Sequence, residues 1–249
     1  MSKKNKAIDI TSSNSSTENS HSIYDHIGKE LTEKLNDLFD NIKKNDEFEF
    51  MFFGRKGKYL SQEKYIQLLK FLTKRAEKNG NKSLPPDDTL DIVFQPNMET
   101  NIRCTLHGTT KINTLMKKVS MWKNHVVLKT LTSMWKKKEE GISLMKKEKN
   151  AEQVVDIDEL DLRARLSKES DLSKDEINDL ISLDETNMNK IKYRYKQRTS
   201  FYVDGDEDTE DFIRIDLTYT KMSYLFKDLN QNIPNYELEI EYGTKKTPN

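Results

Sequence analysis

The sequence has little cysteine, few apolar residues and no long apolar run. Its single cysteine, Cys104, excludes an intrachain disulfide framework and is typical of a reducing compartment. No apolar stretch is long enough to form a membrane helix, and the first residues lack the apolar core of a signal peptide. These absences predict a soluble intracellular protein without a membrane partner.

Neither sign of charge predominates in this chain. It has 42 basic and 42 acidic residues, so no overall polycation indicates binding to duplex nucleic acid. Apolar residues make up 34% and charged residues 34% of the chain, which is lean and charge-rich for a globular domain. Either much of the chain is disordered, or many charges line a wetted interior surface.

The polar ends of the chain enclose a longer patterned region. Residues 1–20 are polar and serine-rich, which predicts disorder. Residues 21–243 are expected to form one domain, and residues 244–249 a flexible tail or a linker to a further domain. Between positions 111 and 149 there are 11 lysines and three glutamates. A solvated face is the ordinary interpretation of such a run, although it would also attract RNA.

Three segments have helical periodicity. Apolar residues recur at helical spacing over 23–44, and Ser61 is a suitable N-cap for a helix over 62–78. A shorter helix is predicted over 175–182, after Ser173.

Strict alternation of ionic and apolar residues predicts most of the remaining elements as strands. The predicted strands are 47–53, 88–94, 101–107, 160–169, 191–203, 212–220 and 236–242. Val126–Thr132 is also compatible with a strand, and Pro85–Pro86 indicates a loop.

The ionic faces of these strands differ in sign. The first and last strands carry glutamates, and the strand over 191–203 carries Lys192, Arg194, Lys196 and Arg198 on one face. A flat sheet would leave these charges in solvent. A closed antiparallel barrel would bring the glutamates and bases together across its interior, with helices covering the apolar outer face. We therefore predict an α+β fold built on a closed barrel with a charged interior.

Such an interior has a specific chemical use. Clustered glutamates repel one another, and a divalent cation with a preference for hard oxygen ligands, Mg²⁺ or Mn²⁺, relieves that repulsion. The bases would surround the oxygens of a polyphosphate. Carboxylates, metal and bases together predict phosphoryl transfer from a triphosphate to water.

These motifs resemble those of a known enzyme family. The segments 47-EFE-49 and 237-ELEIE-241 are similar to the two metal motifs of the triphosphate tunnel metalloenzymes, and 196-KQRTS-200 and 214-RIDLT-218 to the strands between them. The resemblance spans about 47 to 242. It is to the metal-dependent RNA 5′-triphosphatases of mRNA capping, in particular the N-terminal domains of mimivirus-like giant DNA virus capping enzymes.

The resemblance implies a role for each matching residue. The residues implied as metal ligands are Glu47, Glu49 and Glu241. The residues implied to position the attacking water are Glu239 and Glu169. The implied phosphate-binding residues are Arg103, Lys196, Arg198 and Arg214. The implied supporting residues are Asp216, Thr218 and Glu237. Arg163 and Arg165 match more loosely and are candidate phosphate-binding residues, whereas Met51 replaces a base that the family often carries.

The implied activity is removal of the γ-phosphate from the 5′-triphosphate end of nascent mRNA, the first step of cap formation, with hydrolysis of nucleoside triphosphates as a side activity. The implied partner is a guanylyltransferase domain in the same full-length chain, and the implied location is a cytoplasmic viral factory or the virion. Two alternatives stay open. One is a tunnel phosphohydrolase acting on free nucleotides, thiamine triphosphate or inorganic polyphosphate, and the other is a non-catalytic phosphate-binding scaffold.

Overall fold

A computed structural model describes residues 29, 32, 46–52, 60–119, 123–157, 161–205 and 211–244. The chain divides into two compact units, residues 1–41 and 42–249. Apart from residues 29 and 32, all described residues belong to the second unit. The segments expected to be a disordered N-terminus and a flexible tail, apart from the backbone of Thr244, lie outside the described residues.

Eight antiparallel strands close into one barrel. In chain order they are β1 (Asp46–Phe52), β2 (Ser83–Phe94), β3 (Thr100–His107), β4 (Ile142–Ile157), β5 (Leu162–Ser170), β6 (Ile191–Asp204), β7 (Asp211–Ser223) and β8 (Asn235–Thr244). Around the barrel the order is β1-β5-β4-β3-β2-β6-β7-β8, so the first and last strands are neighbours. The predicted closed barrel is confirmed.

In the described part of the second unit, four α-helices pack on the outside of the barrel. They are α1 (Gln62–Asn79), α2 (Thr109–Val119), α3 (Asn124–Lys136) and α4 (Lys174–Ser182). Within the described ranges these helices are too short or too polar to span a bilayer. The outward apolar faces of the strands form two clusters with them. Leu128 and Leu131 of α3 pack with Ile92, and Leu72 of α1 packs with Leu217.

Side-chain caps fix the two predicted helices that the structure describes. Ser61 accepts a hydrogen bond from the Lys64 backbone N–H at 3.2 Å, and Gly80 ends α1 in the left-handed conformation. Ser173 and Glu176 form a reciprocal capping box at the start of α4. Of the helix predicted over 23–44, the structure describes only residues 29 and 32, both of them helical.

The predicted strand over Val126–Thr132 is wrong, because this segment lies within α3. Val127, Leu128 and Leu131 are fully buried at helical spacing. The β-branched residues of this segment favour a strand locally, but their burial against β3, β4 and α4 determines a helix.

Two further boundaries differ from the prediction. Pro85–Pro86 was expected in a loop and instead lies within β2. The pairing of β2 with β6 shifts register between Leu84 and Asp87, so the two prolines, which have no backbone N–H, need not donate a hydrogen bond to the neighbouring strand there. Asp161 was expected within the strand over 160–169, but it has a positive φ of 48° in a turn, and β5 begins at Leu162.

Candidate active site

The ionic faces of the strands enclose a cavity of about 280 Å³. The charged residues that line it are Glu49, Asp91, Glu237, Glu239, Arg103, Lys147, Arg165, Lys192, Arg194, Lys196 and Arg198. Seven bases against four acids give this lining a surplus of three positive charges. A second cavity of about 210 Å³ shares Arg103, Lys196 and Arg198 with the first, so the two adjoin.

Glu49 lies at the seam between the first and last strands. The register of β1 and β8 places Glu49 opposite Glu241 and Met51 opposite Glu239. The Glu49 carboxylate accepts a hydrogen bond from the Lys147 Nζ at 2.7 Å and from the Arg165 Nε at 3.1 Å. Burial alone would raise the pKa of Glu49, but these two bases outweigh it and hold the pKa well below the usual range.

Glu239 is held less tightly than Glu49. Its carboxylate lies 3.6 Å from Arg198 Nη2. Burial and the nearby charge of Glu49 raise the pKa of Glu239, and the attraction of Arg198 and Arg194 does not reverse that shift. A buried carboxylate with a raised pKa is a suitable group to orient a water molecule or to accept its proton.

Arg214 joins the two last strands. Its Nε and Nη2 each lie 2.9 Å from the carboxylate oxygens of Asp216, and Nη2 lies 2.5 Å from Glu241. Burial would lower the pKa of Arg214, but Glu241 and Asp216 raise it. Asp216 also lies 3.3 Å from Arg198 Nη1, so one buried carboxylate contacts two guanidinium groups. These contacts fit the supporting role expected of Asp216.

Three more ion pairs lie in the interior, and a fourth, between Lys196 and Asp91, is described below. Arg103 donates to Glu169 at 2.7 Å, and the Lys147 Nζ lies 3.7 Å from the same carboxylate. Arg194 donates to Glu237. Burial would lower the pKa of Arg194, but the charges of Glu237 and of nearby Glu239 raise it.

Lys196 and Asp91 form the most deeply buried of these pairs. Their charged atoms are 2.8 Å apart, and the side chains are 9% and 2% exposed. Burial would raise the pKa of Asp91, but Lys196 and Arg103 lower it. Burial, together with the neighbouring charges of Arg198 and Arg194, lowers the pKa of Lys196 despite the attraction of Asp91.

Seven of the residues implied by the resemblance line the main cavity: Glu49, Glu237, Glu239, Arg103, Arg165, Lys196 and Arg198. Four others do not line it and are joined to the lining residues through ion pairs: Glu169, Arg214, Asp216 and Glu241. The remaining three differ. Arg163 pairs with Asp156 through its Nε at 2.7 Å, its side chain is 40% exposed, and it does not line the cavity. Glu47 lies opposite Ser167 in the β1–β5 pairing, and its side chain is outside the described part of the structure. Thr218 is fully buried beside Glu237 in the β7–β8 register, and its hydroxyl makes no hydrogen bond to a described residue.

Four charged residues of the cavity lining are absent from the predicted site. They are Asp91, Lys147, Lys192 and Arg194. The alternation of β6 places Lys192 and Arg194 on the same face as Lys196, so that signal was present in the sequence. Lys147 stands in a lysine-rich run that looks like a solvated face, and Asp91 is followed by three apolar residues that hide the alternation.

The acidic residues offer the chemistry that Mg²⁺ or Mn²⁺ requires. Glu49 and Glu241 present carboxylate oxygens from directly opposed positions, where like charges repel and a cation stabilises the pair. In this structure both carboxylates bond to bases, and among the described side chains no three acidic, histidine or cysteine residues are grouped closely enough to hold a metal. The donor type fits the expected ligands, and the metal stays a prediction.

Comparisons with known proteins address the fold. No protein-family model matches the sequence, and no curated protein sequence matches it. Three solved structures of the mimivirus capping enzyme triphosphatase are similar to this chain, with TM-scores of 0.64, 0.61 and 0.63, each at 22% sequence identity. Each similarity covers 88% of this chain, and it covers 89%, 88% and 88% of the three solved chains, respectively. This chain therefore has the closed-barrel fold of the mimivirus RNA triphosphatase domain.

Proposed function

We propose that this protein is a metal-dependent hydrolase that removes the γ-phosphate from triphosphate-ended RNA, the first step of cap formation. The observation that carries the proposal is the closed interior in which seven bases and four carboxylates line one cavity. The shared fold with the mimivirus domain supports it. Purely structural ion pairs would be a costly way to build a barrel, because buried pairs rarely stabilise more than apolar residues of similar volume.

Some of the interior bases pair with carboxylates, and others are placed to bind phosphate. Arg198 has the longest ion-pair contacts of the interior arginines, 3.3 Å to Asp216 and 3.6 Å to Glu239, and its side chain is 30% exposed. It can therefore turn to a phosphate oxygen with little loss. Arg103 and Lys196 line both adjoining cavities and neutralise the remaining oxygens.

Glu49 and Glu241 would hold the metal ion, which when bound polarises the γ-phosphate and stabilises the charge that develops on it. Glu239 orients the attacking water and accepts its proton, because burial and the nearby charge of Glu49 raise its pKa. Glu169, held by Arg103, assists from β5, which like β8 is a neighbour of β1.

The same cavity favours a second substrate class. A volume of about 280 Å³ accommodates phosphates rather than a length of RNA, so nucleoside triphosphates and inorganic tripolyphosphate are proposed as additional substrates. The mimivirus domain belongs to a trifunctional mRNA capping enzyme. By analogy, a guanylyltransferase domain in the same full-length chain is the proposed partner.

Release of labelled phosphate from γ-labelled RNA tests the activity. We expect release that requires Mg²⁺ or Mn²⁺ and that falls by about 100-fold or more in Glu49→Gln and in Glu239→Gln, because each loses a charge in the reacting centre. Glu77→Gln, on the exposed face of α1, is the matched control and should behave as the parent. Equal release by all three variants would overturn the assignment of this site, and no release by the parent would overturn the hydrolase.

A further inference from the structure

The two ends of the barrel present different side chains to the interior. At one end β3 and β6 begin and β7 finishes, and Asn101, Lys192 and Met222 line the cavity there. We call this the Lys192 end. At the opposite end β2 and β4 begin and β3 finishes, and Asp87, His107 and Ser143 line the adjoining cavity. We call this the His107 end.

Lys192 differs from the other bases of β6. Arg194 pairs with Glu237 and Lys196 with Asp91, whereas Lys192 makes no ion pair with any carboxylate in the described residues. Its side chain is half-buried and lines the cavity. Burial and the neighbouring charge of Arg194 lower its pKa, as expected of an ammonium group without a counter-charge. An anion bound beside it would provide that counter-charge.

Asn101 adds an unsatisfied acceptor at the same end. Its Oδ1 is buried and accepts no hydrogen bond from the described residues. A buried polar atom of this kind is costly unless a ligand or water donates to it. Ribose hydroxyls and base amino groups are donors, whereas a fully ionised polyphosphate is not. The Lys192 end therefore offers one contact for a phosphate and one for a nucleoside.

An exposed aromatic residue stands just beyond this end. Tyr224 follows the last residue of β7 and is 67% exposed. Its backbone is held in place, because its carbonyl accepts a hydrogen bond from the Asn124 side chain at 2.7 Å. Aromatic rings in such positions stack on the bases of single-stranded RNA without regard to sequence.

The His107 end carries a carboxylate where the Lys192 end carries an ammonium group. Apart from the three bases shared with the main cavity, the only ionisable residues lining it are Asp87 and His107, whose side chains are 60% and 45% exposed. The carboxylate of Asp87 lies 3.8 Å from the His107 Nδ1. An acidic group at this position repels an incoming polyphosphate.

We propose that the 5′ end of the substrate enters through the Lys192 end, with Lys192 binding the phosphate next to the nucleoside and the RNA chain leaving past Tyr224. The γ-phosphate then lies inward, toward Glu49 and Glu239. This inference rests on the proposed function and adds the direction in which the substrate enters the barrel. It also predicts a preference for triphosphates attached to a nucleoside over inorganic tripolyphosphate.

The kcat/KM for triphosphate RNA tests the role of Lys192, and its ratio to the kcat/KM for tripolyphosphate tests the nucleoside contact of Asn101. Loss of one charge-assisted contact corresponds to about a 10-fold effect or more, so Lys192→Met should lower kcat/KM by about 10-fold for both substrates, and Lys192→Arg should restore most of it. Asn101→Leu should lower the ratio by about 5-fold, because tripolyphosphate has no nucleoside that donates to this residue. His107→Gln, at the opposite end, should leave both quantities unchanged. An unchanged kcat/KM in Lys192→Met, or a ratio that falls in His107→Gln but not in Asn101→Leu, would overturn the proposal.

Photocrosslinking tests the direction without turnover. The probe is a triphosphate RNA with 4-thiouridine as its first nucleotide, bound to the Glu239→Gln variant, with crosslinked peptides identified by mass spectrometry. We expect crosslinks within residues 222–233. Crosslinks within 87–89 or 107–111, or none at either end, would overturn the proposal. Crosslinks at the Lys192 end combined with no phosphate release by the parent would overturn the hydrolase and leave the binding direction standing.

Discussion

At the scale of single residues, the interior is built from ion pairs that are individually poor sources of stability. Asp91 and Lys196 illustrate this, because both are almost fully buried and the burial of the ammonium group lowers its pKa despite the attraction of Asp91. Thr105 donates a further hydrogen bond to Asp91 at 2.8 Å, which completes the shell of the carboxylate. Such a pair places a lysine inside a phosphate-sized cavity without leaving a buried charge uncompensated.

Asp91→Asn should destabilise the protein by about 3–5 kcal/mol at pH 7, because it leaves the Lys196 charge buried without its partner. Lys196 and Arg103 hold the folded-state pKa of Asp91 below its unfolded value. Its contribution to stability is therefore complete above about pH 4 and is lost as the pH falls through the lower folded-state pKa. Urea unfolding from pH 7 to pH 3 should show a constant gap between parent and variant down to about pH 5, and a shrinking gap below pH 4.

The double variant Asp91→Asn with Lys196→Met provides the control for this pair. It removes both charges, so it should be more stable than Asp91→Asn alone. If the double variant is the less stable of the two, the buried pair is not the cause of the loss.

Alternation along a strand identifies which residues face the interior, but not which ones meet there. The inward positions of Glu49, Lys196 and Asp216 were predicted correctly from their own strands. The Glu49–Lys147 contact was not, because the two residues are 98 positions apart and lie on strands that are not neighbours. Partners of that kind depend on strand order and barrel register, which local patterns do not encode.

At the scale of elements, β7 and β8 are tightly packed against each other near the C-terminal end of β8. Gly243 is paired with Phe212, and a Cβ on Gly243 would lie 2.6 Å from the Phe212 Cε1. The Phe212 ring in turn packs edge-on to Tyr202 and lies 5.5 Å below the guanidinium carbon of Arg214. A side chain at position 243 therefore displaces a ring that supports Arg214.

Gly243→Ala should destabilise the protein by about 1–3 kcal/mol, the usual cost of an overpacked site. Thermal unfolding measures this loss. Adding Phe212→Leu makes room for the new methyl group, so the double variant should regain part of the lost stability. A double variant as unstable as the sum of both single changes would show that the ring contact is not responsible.

Most strands and two of the helices were predicted from sequence, and the described elements that were missed entirely lie in one region. Between β3 and β4 the chain forms α2 and α3, where no helix was predicted, and β4 itself was not predicted at all. In β4 the run Lys146-Lys147-Glu148-Lys149 breaks the alternation of ionic and apolar residues. Its strand conformation comes from pairing with β3 on one side and β5 on the other.

At the scale of the whole molecule, closure of the barrel concentrates basic residues in the interior of a chain whose total charge is zero. The complete chain has no net charge, yet the main cavity has three more bases than acids lining it. Long-range attraction of RNA by the whole protein is therefore weak, and affinity for phosphates is concentrated inside the barrel. This arrangement favours ligands that place several negative charges within one small volume.

Inorganic tripolyphosphate without metal should therefore stabilise the protein. At a ligand concentration of 100 times Kd, binding adds about 2.7 kcal/mol, which for a domain of this size raises the Tm by about 5–10 °C. Because the attraction is electrostatic, the shift should decrease as ionic strength rises, although less than for exposed charges. Arg198→Met should reduce the shift, and Lys74→Met, on the exposed surface of α1, should preserve it. A shift that is the same in both variants would place the polyphosphate outside the barrel, on the lysine-rich exterior.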